Sequence, residues 1–225
     1  MQTITVPSHA AVDHPVAIRI EPVYRDRNRL TVAVRPILAI PHLILVGGPI
    51  AATLWWSWLT EPGGRHEWGV SGGLLGAVAV IAAVISWFAL LFADRQPEGL
   101  WKLVAFYLRW RVRAVTYMAL LRDEYPPFGD GDYPAELDVV PPTQPRNVLT
   151  VAFRFVLIIP HLVVLWFLGF AWAVSTVIAW FAIVFTGRFP EGLYRFATGM
   201  VRWNTRVEAY GLLLRDEYPP FSLDT

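Results

Sequence analysis

Three long stretches of this chain carry no charged residue: 36–59, 70–93 and 155–186. Runs of about 20 apolar residues match the hydrocarbon core of a bilayer. None of the three shows the polar stripe that a helix on the surface of a water-soluble core would carry. Between the first two lies Thr60-Glu-Pro-Gly-Gly-Arg-His-Glu-Trp-Gly69, a polar turn. The pattern there predicts two membrane crossings, about 33–59 and 70–93. The third stretch has no such turn. As one helix its 32 residues would be about 48 Å long at about 1.5 Å per residue, more than a core of about 30 Å needs.

An internal repeat bears on that third stretch. Residues 14–46 align with 133–165 at an offset of 119, with 14 identities in 33 positions. Residues 87–128 align with 180–221 at an offset of 93, with 22 identities in 42. The change of offset marks one insertion in the first copy, between Val46 and Trp87. Two similar units should fold alike, so the second copy is expected to form a short hairpin over about 150–186, breaking near Gly169. The units are then 14–128 and 133–225, after a polar tail 1–13 and joined by a linker 129–132.

Finer patterns fill in each unit. Val16-Ala-Ile-Arg-Ile20 and Ala135-Glu-Leu-Asp-Val139 alternate with period two, as short strands do, and are candidates to pair with each other. Asn28 and Asn147 precede matched Leu-Thr-Val-Ala runs and predict helix N-caps. Pro41 and Pro160 sit inside apolar runs and should kink their helices. Pro97 and Pro190 open helices expected over 97–121 and 190–214, with Glu98 and Glu191 in their first turns. Lys102, Arg109 and Arg113 share a face of the first, and Arg195, Arg202 and Arg206 of the second. With many aromatics on the remaining faces, both read as amphipathic helices lying in the headgroup region. The fold class is a mainly α integral membrane protein: a tandem repeat of two-helix membrane hairpins, each followed by an amphipathic interfacial helix, with short N-terminal β-strands.

Charge placement sets an orientation. Of 19 Lys and Arg, only Arg65 lies in the 60–69 turn; the rest flank the apolar stretches. Under the positive-inside rule this predicts four crossings with both termini in the cytoplasm of a bacterial inner membrane. Residues 1–30 are polar, so no cleaved leader is expected there. There is no cysteine, which excludes disulfides, thiolate metal sites and a cysteine nucleophile.

Pro-Glu-Gly-Leu, then Arg109-Trp110 and Arg202-Trp203, then Asp-Glu-Tyr-Pro-Pro-Phe, with Ile-Pro-His-Leu upstream, occur twice. As a set they resemble the DUF4389 family, in two tandem copies. The resemblance implies paired membrane helices with cytoplasmic flanks. It implies no substrate, cofactor or catalytic residue.

Several residues are candidates for function. His42 and His161 follow the kinking prolines and would be intramembrane polar groups, serving protons, a metal or a headgroup, or capping the carbonyls the prolines free. Arg35 and Arg154, two helical turns earlier, would bind lipid phosphate, snorkel, or pair within the fold. The two basic trios are candidate contacts for anionic lipid. Arg122-Asp-Glu-Tyr-Pro-Pro-Phe128 and its copy read as helix-end structure rather than a site. Gly69, Gly72, Gly73 and Gly76 form small-residue registers that suit close helix packing or a partner helix.

No catalytic motif is present, so no enzyme activity and no cofactor are expected. The favoured function is a non-enzymatic accessory or scaffolding subunit of a membrane or lipid-handling assembly. Its partners would be anionic membrane lipids and another membrane protein or a second copy, without nucleic acid. The alternative is a small transporter or channel built from parallel repeats.

Overall fold

A computed structural model of the chain describes residues 15–49, 72–143 and 145–223. In order, it has β1 (Val16–Ile20), α1 (Arg29–Leu38), α2 (Ile40–Val46), α3 (Gly73–Ala93), α4 (Glu98–Met118), β2 (Ala135–Val139), α5 (Val148–Ala152), α6 (Arg154–Leu157), α7 (Ile159–Thr186) and α8 (Glu191–Gly211).

Local signals account for many boundaries. The Asn28 side chain accepts from Thr31 N, and the Asn147 side chain from Leu149 N and Thr150 N, so both act as N-caps. The strands pair antiparallel, Val16 opposite Val139 and Ile20 opposite Ala135. Near Pro41, α1 and α2 meet at a 45° bend, where the ring removes a donor from the helical ladder. Asp94 and Gly187, equivalent in the repeat, end α3 and α7 in the left-handed conformation.

The second copy departs from the expected hairpin. Its α7 runs unbroken for 28 residues straight through Gly169. One glycine costs a helix only about 1 kcal/mol against alanine, and no proline or polar turn follows Pro160 to stop it. The first copy explains the difference. Its α2 matches 159–165 and its α3 matches 166–186, so the two pieces together correspond to α7. A Cβ placed on Gly73 would lie 2.6 Å from Ile44 O and 2.7 Å from Gly47 N. Gly73 therefore stands almost where the residue after Val46 would stand in an unbroken helix. The shared unit is one long helix, and the insertion leaves and re-enters it at one point. The 60–69 turn and the end of the expected 33–59 crossing lie outside the described residues.

Packing forms three layers. β1 and β2 and the segments after α4 and α8 form a polar layer. α4 and α8 pack against each other in the middle, α4 between α3 and β2, α8 between α7 and β1. α1–α3 and α5–α7 form the third layer. At 97–121 and 190–214 the helices expected to lie among headgroups are instead packed inside the protein: α4 and α8 bury Val104, Leu108, Val112, Val115, Val201 and Val207. Their second face, which the sequence leaves to lipid or water, is covered by the strands and tails.

In the third layer α3 turns mostly small residues inward, α7 buries Trp172 and Ile183 beside Gly169 and Ala179, and both turn large apolar side chains outward. α3 buries Gly76, Ala79, Ala82, Ala83 and Ser86 and exposes Leu74, Val78, Ile81, Ile85, Phe88 and Phe92, the last 82% exposed. α7 exposes Phe167, Phe170, Val174, Val177, Phe181 and Phe185. An exposed apolar patch of this extent marks a surface that contacts a membrane or another protein. Among the described residues, α3 and the run Arg154–Thr186 are long and apolar enough to cross a membrane; α1 and α2 make a third if taken as one bent span.

The two copies are related reciprocally. Trp87 Nε1 donates to Val151 O, and its equivalent Trp180 Nε1 donates to Val32 O, both at 2.9 Å. Each long helix thus holds the first helix of the other copy, as across a two-fold interface.

Candidate functional site

Four arginines and two aspartates make a repeated latch. Arg35 donates to Asp123 Oδ1 (2.7 Å), Tyr117 O (3.1 Å) and Arg122 O (2.8 Å). Its guanidinium lies 4.4 Å from the centre of the Tyr117 ring. Arg27 grips the same carboxylate with two bonds, 2.8 and 2.7 Å, and also donates to Leu120 O. The second copy repeats this. Arg154 meets Asp216 (2.5 Å), Tyr210 O and Arg215 O, and lies 4.4 Å from the centre of the Tyr210 ring. Arg146 lies 3.3 Å from Asp216 and donates to Leu213 O. Burial pushes the Asp123 carboxyl up, but the hydrogen bonds and charges of Arg27 and Arg35 outweigh it and hold the group below the ordinary carboxylate range.

Leu120 and Leu213 present those carbonyls from an unusual backbone. Both have positive φ, 64° and 63°, a conformation that costs a non-glycine residue roughly 1–2 kcal/mol. The bonds Leu121 N to Thr116 O and Leu214 N to Ala209 O close the same helix ending in each copy.

The rest of the heptapeptide is used as well. Arg122 donates to Glu21 O and pairs with Glu124; Arg215 donates to Val140 O and pairs with Glu217. These arginines fasten the strand ends to the ends of α4 and α8. Phe128 stacks on His42 at 4.8 Å and Phe221 on His161 at 3.9 Å, with Tyr125 and Tyr218 beside them.

Both histidines are fully buried. Trp110 Nε1 donates to His42 Nδ1 (3.3 Å), and Trp203 Nε1 to His161 Nδ1 (3.2 Å). An imidazole that accepts at Nδ1 is neutral with its proton on Nε2. Each ring is enclosed by aromatics of its own copy. Among the described residues, no three His, Asp or Glu gather to hold a metal ion.

The basic trios differ in exposure along their helices. Lys102 pairs with Glu98 (2.6 Å) and Arg195 with Glu191 (3.7 Å), all at exposed first turns. Arg109 lies 3.6 Å from Asp130. Arg113 is buried and donates to Gly129 O (2.8 Å). Arg202 is half-buried and Arg206 buried.

The copies differ at their mutual contact. Arg111 donates to Glu208 (2.7 and 2.9 Å) and to Val46 O (2.5 Å). Asn204, the repeat equivalent of Arg111, donates to Glu208 at 2.9 Å. Arg111 thus caps the carbonyl end that the insertion exposes on α2, where the unbroken α7 needs no cap. The available signal was a buried-pattern position holding Arg in one copy and Asn in the other. The glycine register serves the same region. A Cβ on Gly72 or Gly76 would meet the Tyr107 hydroxyl at 2.4 or 2.9 Å. Gly72, Gly73 and Gly76 therefore pack within the chain; Gly69 lies outside the described residues.

Two crevices open between the copies. One, of about 260 Å³, lies between α3 and α6–α7, with Tyr107, Arg111, Asn204 and Glu208 at its polar end. The other, of about 540 Å³, lies between α1–α2 and α7 and reaches Arg35. They are repeat equivalents: Pro36, Leu43 and Val177 of the second match Phe155, Leu162 and Val84 of the first.

The family model described as "Domain of unknown function (DUF4389)" matches residues 68–129 and 149–222. No curated protein and no solved structure matches the chain. The first matched segment begins just before α3, beyond most of the insertion. With more than half its length matched, as two segments, the chain belongs to the DUF4389 family and is consistent with two copies of its unit.

Proposed function

We propose that this chain is a non-enzymatic module embedded in the bacterial inner membrane by its apolar layer, acting as an accessory or scaffolding subunit of a larger membrane or lipid-handling assembly. The outward array of large apolar side chains on α3 and α7 carries the reading, because only lipid or an apolar partner suits it. The repeated polar groups support the non-enzymatic part. Asp123 and Asp216 are held by arginines, and His42 and His161 are enclosed by aromatic rings, so these groups serve the fold.

Both termini are assigned to the cytoplasmic face. The start of α6 is tied to Asp216 through Arg154, and the end of α7 to Arg27 N through Gly187 O. The β1–β2 ribbon joins these two ends and carries Arg19, Glu136 and Asp138 exposed to solvent. With α7 upright, those charges would stand at the depth of hydrocarbon, which is costly. The geometry therefore favours α7 lying along the membrane over four upright crossings.

Native mass spectrometry on protein released gently from its own membrane tests the role. A stoichiometric protein partner is expected. A chain recovered always alone and monomeric would remove the accessory reading.

A further inference from the structure

We infer that the two crevices between the copies are paired binding sites for acyl chains of membrane phospholipid. The inference rests on the reading that the apolar layer faces lipid. Each crevice opens on that layer, and its mouth is formed by outward-facing apolar residues: Val84 and Phe155 for one, Val177 and Phe181 for the other. Their volumes, about 260 and 540 Å³, lie near or within the span of ligand pockets, roughly 300–1,000 Å³.

The polar ends suit the head of such a chain. In the larger crevice, Arg35 is 2% exposed and its Nη atoms are spent on Asp123 and backbone carbonyls. Its Nε is buried and has no protein partner. A buried donor without an acceptor costs about 1–3 kcal/mol, and an ester carbonyl or phosphate oxygen at the crevice end would relieve it. In the smaller crevice the polar end is the Arg111, Asn204, Glu208 and Tyr107 cluster.

The duplication supports a designed feature over a packing defect. The crevices persist as equivalents although their linings differ, as in Thr176 against Ala83 and Met118 against Gly211. The occupant is a hydrocarbon chain carrying an acceptor oxygen, entering from the leaflet in which the layer is embedded.

The test uses the full chain in nanodiscs of phosphatidylethanolamine and phosphatidylglycerol, doped with phospholipid bearing a diazirine on one acyl chain. Crosslinked residues are mapped for wild type, Val84→Trp and Val177→Trp, which fill one mouth each. Val78→Trp and Val174→Trp are outward-facing controls on the same helices. Wild type should crosslink preferentially within both crevices. Val84→Trp should lose most crosslinks in the smaller crevice and keep those in the larger; Val177→Trp should do the reverse, and the controls should match wild type. Mass analysis of retained molecules separates phospholipid from free fatty acid, and recovery of fatty acid alone would overturn the phospholipid assignment. Crosslinks spread evenly over the outward faces, or unchanged crevice labelling in both filled variants, would overturn the sites. Flotation with liposomes is scored in parallel. Protein that floats yet shows no crevice preference refutes the sites alone, while protein that does not float refutes the membrane reading and the sites with it.

Discussion

Asp123 holds two arginines at once, so its removal leaves two charges without compensation. Arg27 and Arg35 are essentially buried, and breaking such a pair from one side costs about 3–5 kcal/mol. Asp123→Asn is expected to lose about that much in denaturant unfolding in micelles, and Asp216→Asn a comparable amount. Glu136→Gln, at an exposed pair, should change stability by less than about 1 kcal/mol. Acid should act through the same carboxylate. Its folded pKa is depressed, so its contribution is fully present above the unfolded value of about 3.9. It is lost as pH falls through the lower folded value, and Asp123→Asn should lack that part of the acid-induced loss. The histidines offer a second residue-level check. Trp110→Phe leaves His42 Nδ1 buried without its donor, at about 1–3 kcal/mol. Adding His42→Phe should then cost less than the two single effects summed, as expected for contacting residues. Independent behaviour would mean that the Trp–His bond contributes little.

At the scale of elements, the insertion is the informative feature. Joining Val46 directly to Gly73 should yield a protein that still folds, with α2 and α3 continuous as in α7. The sign of one substitution should then reverse. In the native chain Gly73 has φ of 65° and its Cβ would crowd Ile44 O, so Gly73→Ala should destabilise by more than about 1 kcal/mol. In the joined chain the residue becomes interior helix, and the same change should stabilise by roughly 0.5–1 kcal/mol. Thermal unfolding of the four proteins checks this; the same sign in both backgrounds would show that α2 and α3 are not two parts of one helix. The elements also show what the sequence could reveal. The Asn caps, the period-two strands, the bend near Pro41 and the starts of α4 and α8 were legible because each depends on residues a few positions apart. The unbroken α7 was not, because the hairpin was inferred from the first copy, whose own break belongs to the insertion. The burial of α4 and α8 was hidden because their outer cover comes from strands outside their own pattern, β2 about 20 to 40 residues after α4 and β1 more than about 170 residues before α8. Arg35 was singled out, but Asp123 as its partner lies 88 positions on. No local pattern joins them, although the repeat of both in Arg154 and Asp216 was available.

For the whole molecule, the reciprocal Trp87–Val151 and Trp180–Val32 bonds describe a two-fold dimer written into one chain. Such a body has one apolar side and one charged side, and its orientation in a membrane follows from where the ends of α7 are fastened. Thr143 and Glu191 flank the α6–α7 run. If that run lies along the membrane, both are on the same side; if it crosses, they are on opposite sides. The chain lacks cysteine, so Thr143→Cys and Glu191→Cys can each be introduced singly. Both should react with a membrane-impermeant maleimide only after the inner membrane is permeabilised, at similar rates. Reaction of just one of them in intact spheroplasts would place α7 across the bilayer. The exposed charges of Arg19, Glu136 and Asp138 would then have to stand within the membrane beside it. That is energetically unfavourable enough that such a result would also require the β1–β2 ribbon to leave its place between the two ends of α7.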